Sequence, residues 1–420
     1  MSHASFRLEG VNTNLTVTAT TGEERLGQGH HFELELASDA PVDAAAAIEQ
    51  PCVLQLQTPF GEGHYHGIVA AITQCATADG SAARRCRLTM TSSLSLLEHS
   101  RRRRIFRNKN AAAVVATLME EAGLDAAADG LSAALVDYPH LTQYDESDRR
   151  FIRRLLEQDG LWLRNESDFD SDSWTLCDAV AAAPDLGELL TVDEAHLRSG
   201  EACAVDVEVV RRLAPGKVAL RGYHADNPNH TLQAEVAAAG DAEETLEVYR
   251  SRDQSWGHSA TTDEHLRSAA ERHLHGLRAE AKLVRWRCNV PLRAGRRLSL
   301  TGEVDLGVFI VSVRHHFDHD ADTYHCDITA TPTGQPYRLP PTTQKPRIDG
   351  AAYAVVTGSA GEEIHCDALG RVNVRFTWDR SGPSDHHSSL PVRVLHPNLA
   401  GSLLIPRVGW EVLIMFEDGD

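Results

Sequence analysis

A chain of 420 residues and 46.0 kDa, 42% hydrophobic and 24% charged, is long enough for roughly two to four domains with cores of their own. Its formal net charge of −19 argues against nucleic acid as a principal partner, because such binding depends on cations that displace counterions. The run Ala111–Met119 is far shorter than the roughly 20 apolar residues of a membrane span, so no stable membrane insertion is expected.

The start, MSHASFRLEG, lacks a basic segment followed by an apolar one and does not read as a cleavable secretory signal. The cysteines (Cys52, Cys75, Cys86, Cys177, Cys203, Cys288, Cys326 and Cys366) are scattered without a CxxC pair, the pattern of a reduced protein. The first hundred residues read as β. HFELELAS puts Phe32, Leu34 and Leu36 on one face and Glu33 and Glu35 on the other; CVLQLQT, HYHGIVAAI and RCRLTMTSS follow, the last two joined by the turn-rich ATADGSAA. Short strands at this spacing predict a barrel or sandwich. The basic run His99–Asn110, HSRRRRIFRNKN, is either a nucleic-acid patch or, as the absence of interleaved aromatics favours, an exposed edge or interface.

Two helices are expected next. NAAAVVATLMEEAG groups Val114, Val115, Leu118, Met119 and Ala122, with Asn110 to cap it and Gly123 to end it. In DESDRRFIRRLLEQDG, Phe151, Ile152, Leu155 and Leu156 form the apolar face. Arg149, Arg150, Arg153, Arg154 and Glu157 lie opposite, with Glu146–Arg150 and Arg153–Glu157 as i,i+4 pairs. Leu161–Leu163 begins a strand, and residues 168–200 read as an acidic loop. A second β-rich region spans roughly 203–335 and is interrupted by the helical DEHLRSAAERHLHGLRAEA. It contains an internal echo: residues 63–93 resemble residues 306–332, each an apolar strand, a polar loop and an alternating strand. The proline-rich Thr333–Gly350 is expected to be a linker. Beyond it AYAVVT, GRVNVRFTW, PVRVLH, SLLIP and WEVLIMF predict five short strands, a small barrel of the OB type.

The chain offers little that would carry chemistry. The acids and arginines of residues 145–159 are explained by helix capping and surface pairing, and no GxSxG, HExxH, Walker or strand-linked GxGxxG motif is present. His64 and His66 share a strand face. His315, His316, His319, His325 and Cys326 crowd one hairpin, and His386–His387 sit in a loop, but none shows a recognised zinc-ligand spacing. No catalytic, cofactor-binding or metal residue is assigned, no cofactor is expected, and the sequence does not look like an enzyme.

Five stretches occur in the order of one family: FGEGHYHGIVAAI (60–72), RRRRIFRNKN (101–110), LTQYDESDRRFIRRLLEQDGLWL (141–163), DALGRVNVRFTWDRSG (367–382) and SLLIPRVGWEVLIMFEDGD (402–420). Together they resemble the VgrG proteins of bacterial type VI secretion systems, the spike-base counterparts of contractile-phage tail hub and needle proteins. One departure is Leu390, where the family usually has an aromatic residue. The resemblance implies a mainly β fold with inserted helices (α+β): two tandem tube-like β-barrels with helical insertions, then a C-terminal OB-fold barrel. The implied hub-like region is 1–335, with a first barrel at about 1–100 plus 161–200, a helical insertion at 101–160 and a second barrel at about 203–335. A linker at 336–350 and the OB domain at 351–420 follow. The β-helical spike and effector extensions of the family are expected to lie beyond such a chain and are absent from this one.

The implied function is a structural one. A homotrimeric hub would cap an Hcp-like hexameric tube, support a membrane-puncturing spike with a PAAR-type tip, and help deliver effector or adaptor proteins. It would assemble in the bacterial cytoplasm and leave without a cleavable signal. Three readings compete with it: the hub of a phage or phage-derived injection particle, a metal-dependent hydrolase using the histidine hairpins, and an OB module binding oligosaccharide or single-stranded nucleic acid through Trp378 and Trp410. The alternation of GRVNVRFTW argues against the last, since it places Trp378 on the core face with Val372, Val374 and Phe376.

Overall fold

The computed structural model describes residues 2–10, 13–40, 42–75, 84–167, 172–193, 201–223, 229–238, 245–251, 262–380, 382–396, 404–416 and 419. Six strands begin the chain: β1 (His3–Leu8), β2 (Leu15–Arg25), β3 (Gly29–Ser38), β4 (Pro51–Thr58), β5 (Gly61–Cys75) and β6 (Arg84–Thr91), with the short helix α1 (Ala44–Ala47) between β3 and β4. Strand β3 buries Phe32, Leu34 and Leu36 between outward-facing residues, the period-2 pattern of its sequence. The strands run in the order β1-β4-β5-β6-β3-β2, and Ser5 opposite Thr16 returns β2 to β1 and closes the barrel. The inward side chains fill it: Phe32, Leu54, Tyr65, Leu88 and Met90 are completely buried.

An insertion follows, made of β7 (Arg101–Lys109), α2 (Ala111–Glu121), β8 (Ala126–Gly130), β9 (Tyr138–Ser147), α3 (Asp148–Asp159), β10 (Trp162–Ser167) and β11 (Asp172–Cys177). Asn110 caps α2 by accepting from the Ala113 amide, and Ser147 caps α3 by accepting from the Arg150 amide. Gly160 ends α3 in the left-handed conformation at φ 70°. Strands β7 and β9 pair as a two-stranded sheet, while β10, β11 and β8 form a three-stranded one. Trp162, Trp174, Phe151, Leu155 and Val114 share the core of this body.

Here the expected boundaries need correction. The described residues of 161–200 do not complete the first barrel. That barrel already closes through the β1–β2 pairing without them. Strand β11 pairs with β10 on one side and β8 on the other, and β12 (Asp185–Thr191) belongs to the second barrel.

The second barrel continues with β13 (Cys203–Arg211). It is interrupted by β14 (Lys217–Tyr223), β15 (Thr231–Ala237), β16 (Glu247–Ser251) and the helix α4 (Asp263–Leu277), which close on a small core of their own around Val218, Leu220, Leu266 and Leu274. It resumes with β17 (Lys282–Cys288), β18 (Arg297–Gly302), β19 (Leu306–Asp318) and β20 (Thr323–Pro332). The order β19-β18-β12-β13-β17-β20 closes through β19–β20.

Numbered within each barrel, the strand pairs are the same: first with second, first with fourth, fourth with fifth, fifth with sixth, sixth with third and third with second. The echo between residues 63–93 and 306–332 therefore falls on matching strands, β5–β6 and β19–β20. Even the irregularities match, a register shift at Val69/Ala71 in one and at Ile310/Ser312 in the other. The repeat is imperfect in one strand: β12 runs parallel to both its neighbours, whereas β1 runs antiparallel to its own. The two barrels join edge to edge, Ala19–Arg25 of β2 pairing antiparallel with Ser312–Asp318 of β19.

Residues 336–350, expected to be a linker, are a docked strap. Tyr337 and Leu339 are buried in the core of the insertion. The Glu157 carboxylate accepts from the Thr343 amide at 2.7 Å and from the hydroxyls of Thr342 and Thr343 at 3.1 and 2.9 Å. The polar face expected on α3 is correspondingly half covered. Arg153 pairs with Glu157 at 2.9 Å as anticipated, but Arg150 donates to the Gln344 carbonyl, and Glu146 pairs instead with the buried Arg154 at 2.6 Å.

Of the five strands expected after residue 350, the described residues contain three, β21 (Ala351–Thr357), β22 (Asn373–Phe376) and β23 (Glu411–Met415), in the order β22-β21-β23. PVRVLH contributes one bridge, Val372 to Val392, and SLLIP lies partly outside the described residues. A small core of Ala354, Val356, Val372 and Val374 lies beneath this sheet, and Leu390 is half-buried.

Candidate functional site

The loop between β17 and β18 carries Arg293 into the meeting point of the two barrels and the insertion. Its Nε lies 3.1 Å from Glu24 Oε2 on β2, one guanidinium nitrogen donates to the His64 carbonyl on β5 at 2.9 Å, and the other donates to Asn165 Oδ1 on β10 at 2.5 Å. The cation also sits 4.5 Å from the Tyr65 ring centroid. Burial alone would lower the guanidinium pKa, but Glu24 and Tyr65 outweigh it and raise it, so the charge is retained inside the protein.

Tyr65 continues the network across the barrel boundary. Its hydroxyl lies 3.0 Å from His315 Nε2, and His315 Nδ1 lies 2.8 Å from the Tyr324 hydroxyl. Burial, and then Arg293, hold both His30 and His315 neutral, with pKa values pushed down to about 3. Gly22 makes the approach of these rings possible. It pairs with both Phe32 and His315, and a Cβ there would lie 2.1 Å from the Phe32 ring, where Phe32 and His315 now stack at 5.6 Å.

Two strand stretches at this architecture's outer ends are left open. β5 pairs with β4 only from Gly61 to Ile68, and β13 pairs with β12 only at Cys203 and Ala204. Among the described residues no strand covers the other edge of Ala70–Cys75 or of Asp206–Arg211. These are the fifth strand of barrel one and the second strand of barrel two, the same positions that β19 and β2 occupy at the internal junction. A third open surface lies on the C-terminal sheet, where Tyr353 opposite Leu413, with Val355 and Met415, presents an exposed apolar face. That sheet is held to the insertion by Arg107, which pairs with Asp379 at 3.3 Å and donates to the Ser388 carbonyl, and by Trp378 set edge-on to Tyr144.

The residues singled out in the sequence distribute as follows. The basic run forms β7, and its charges are largely matched: Arg102 and Arg104 pair with Glu121 at 2.8 Å, and Arg103 pairs with Asp145 at 2.7 Å. Trp378 lies beyond the end of β22, half-buried and stacked on Phe376 rather than in the sheet core; Trp410 is exposed. His64 and His66 flank Tyr65 on the half-buried face of β5. The His386 and His387 rings lie 3.8 Å apart, tilted by 44°. In the β19–β20 hairpin, alternation separates His315, which is buried, from His316, which faces outward. Nothing in the local sequence marked Arg293, because its partners lie more than a hundred positions away.

Two like-wired barrels fused through one strand pair, with edges left open among the described residues, define the architecture of the chain. Solved structures share this fold. An Escherichia coli component of the type VI secretion system, described as similar to the T4 tail proteins gp27 and gp5, superposes with a TM-score of 0.70 at 18% identity, over 99% of this chain and 97% of that one. A chain from the Francisella PdpA–VgrG complex superposes at 0.65 with 9% identity, over 98% of this chain and 76% of its own. The profile of the phage tail baseplate hub (GPD) family matches residues 23–321, and the chain belongs to that family. Within it the chain is 32% identical to the type VI secretion system spike protein VgrG4b of Pseudomonas aeruginosa, over 100% of this chain and 55% of that protein. It thus spans about half the length of the curated relatives it matches.

Proposed function

We propose that this chain is the hub portion of a type VI secretion spike, a non-enzymatic part that assembles as a homotrimer and seats on a hexameric tube of Hcp-like subunits. The observation that carries the reading is the pair of open edges. Inside the chain, the second strand of one barrel pairs with the fifth strand of the next. The second strand of barrel two and the fifth of barrel one are free on the described residues, so the same joint can be repeated between chains. A head-to-tail contact of this kind generates a ring where the rotation closes. Three chains would then give six barrels of like wiring, which matches a sixfold tube below while keeping threefold symmetry for a spike above. In this reading the particle assembles in the bacterial cytoplasm, and effectors, adaptors and a tip protein ride on it through segments that longer relatives carry.

The test is solution mass by light scattering during size exclusion. Three chains of 46.0 kDa give 3 × 46.0 = 138 kDa, the expected value. A mass near 46 kDa at all concentrations up to tens of micromolar would overturn assembly through these edges.

A further inference from the structure

The outward face of the β19–β20 hairpin gathers His316, His325 and Asp327, whose potential ligand atoms all lie within 4.8 Å of one another. Strand register produces this grouping. His316 and His325 are direct cross-strand partners, with rings stacked at 4.7 Å and an interplanar angle of 15°. Asp327 is two residues along β20 from His325 and so shares its face. Its Oδ2 lies 3.4 Å from His316 Nε2, while its Oδ1 faces Arg287 Nε at 3.5 Å.

We propose that His316, His325 and Asp327 form a binding site for a divalent transition-metal ion of the zinc class, on the outside of the second barrel. Two imidazoles and one carboxylate suit zinc, nickel or cobalt rather than magnesium or calcium. Ligand atoms around such an ion lie roughly 3–3.5 Å apart, given bonds of about 2.0–2.2 Å. The half-exposed side chains reach that spacing by small rotations, on a hairpin whose backbone is fixed by barrel closure.

Arg287 acts on the far oxygen of Asp327, and it is shared with Asp206 at 3.7 Å. It therefore orients the carboxylate and leaves Oδ2 for the ion, the part an outer-shell partner plays at metal sites. The cluster is not a by-product of the repeated barrel. At the matching register of barrel one, Arg85 and Arg87 stand opposite Cys75 and Thr73. The site also stands apart from the cavity of about 320 Å³ lined by residues that include Arg25, Arg153, Glu157 and Tyr337, which contains none of its residues. With three protein ligands, an open face and no enclosing cleft, the ion braces the hairpin beside the barrel junction.

The test is zinc titration of the full metal-stripped chain by calorimetry, beside His325→Gln and Asp327→Asn. All three side chains are partly exposed, so the variants are expected to keep the wild-type circular dichroism. The wild type should take one ion per chain with a micromolar Kd, and each variant should bind at least about tenfold more weakly, since loss of an outer-shell partner alone costs that much. Cobalt supplies a second readout, a visible absorption band on the wild type that is absent from the variants. Variants that titrate like the wild type would overturn the proposal, as would a wild type that binds zinc no more tightly than millimolar.

Discussion

His30 shows most directly what a single side chain does at the barrel junction. It is buried beside Phe32 and Tyr65, with rings 5.7 and 5.6 Å away, and faces the Arg293 charge as well as His66 and His31. Its folded pKa of about 3 lies below the ordinary value of 6.5, chiefly through burial and secondarily through Arg293. The unfolded chain therefore binds the proton more readily between those values. The His30 contribution is complete above the ordinary pKa and is lost as pH falls toward 3. Over the interval from pH 7 to 5 this amounts to about 2 kcal/mol of lost stability. Urea midpoints for the wild type and His30→Gln at both pH values check it. The wild type should lose about 2 kcal/mol more than the variant over that interval, whatever the variant's stability at pH 7.

At the scale of elements, helix α3 and the strap that covers it show where sequence reading succeeds and stops. The apolar face of α3 and its Arg153–Glu157 pair follow from a few neighbouring residues, and both were legible. So were the alternating strands of both barrels and the echo between them. The burial of Glu157 was not, because Thr342 and Thr343, which donate to it, lie nearly two hundred positions later. Proline-rich composition reports the lack of regular structure in residues 336–350, and it is silent on docking. The same limit hid β12: an acidic stretch read as loop becomes a strand because β18 and β13 offer it edges. Glu157→Ala tests the strap. It removes the acceptor for the Thr343 amide and two hydroxyls and unpairs Arg153, at a cost of about 2–3 kcal/mol. Limited trypsin digestion should then cut after Arg347 several-fold faster than in the wild type. Unchanged cleavage would mean that Tyr337 and Leu339 alone hold the strap.

For the whole molecule, burial is unevenly distributed between the two barrels and the C-terminal sheet. The two barrels share one continuous sheet and one core that includes Phe32, Leu54, Ile310 and Trp286, so neither can open without exposing the other. The C-terminal sheet has three described strands over a core of four buried side chains, and its opposite face exposes Tyr353, Leu413 and Met415. A unit of that size buries too little apolar surface for much stability of its own. In dilute monomer, amides of β21 and β23 are expected to exchange hydrogen about a hundredfold faster than those of β3, β5 and β19, a difference of about 2.7 kcal/mol in opening free energy. Because the exposed apolar strip is available to a second copy, protection in β21 and β23 should rise with protein concentration while the barrel amides stay constant. Exchange mass spectrometry across a concentration series measures both. Equal protection of sheet and barrels in the monomer would show instead that Arg107, Asp379 and the Tyr144–Trp378 contact bind the C-terminal sheet into the same cooperative unit.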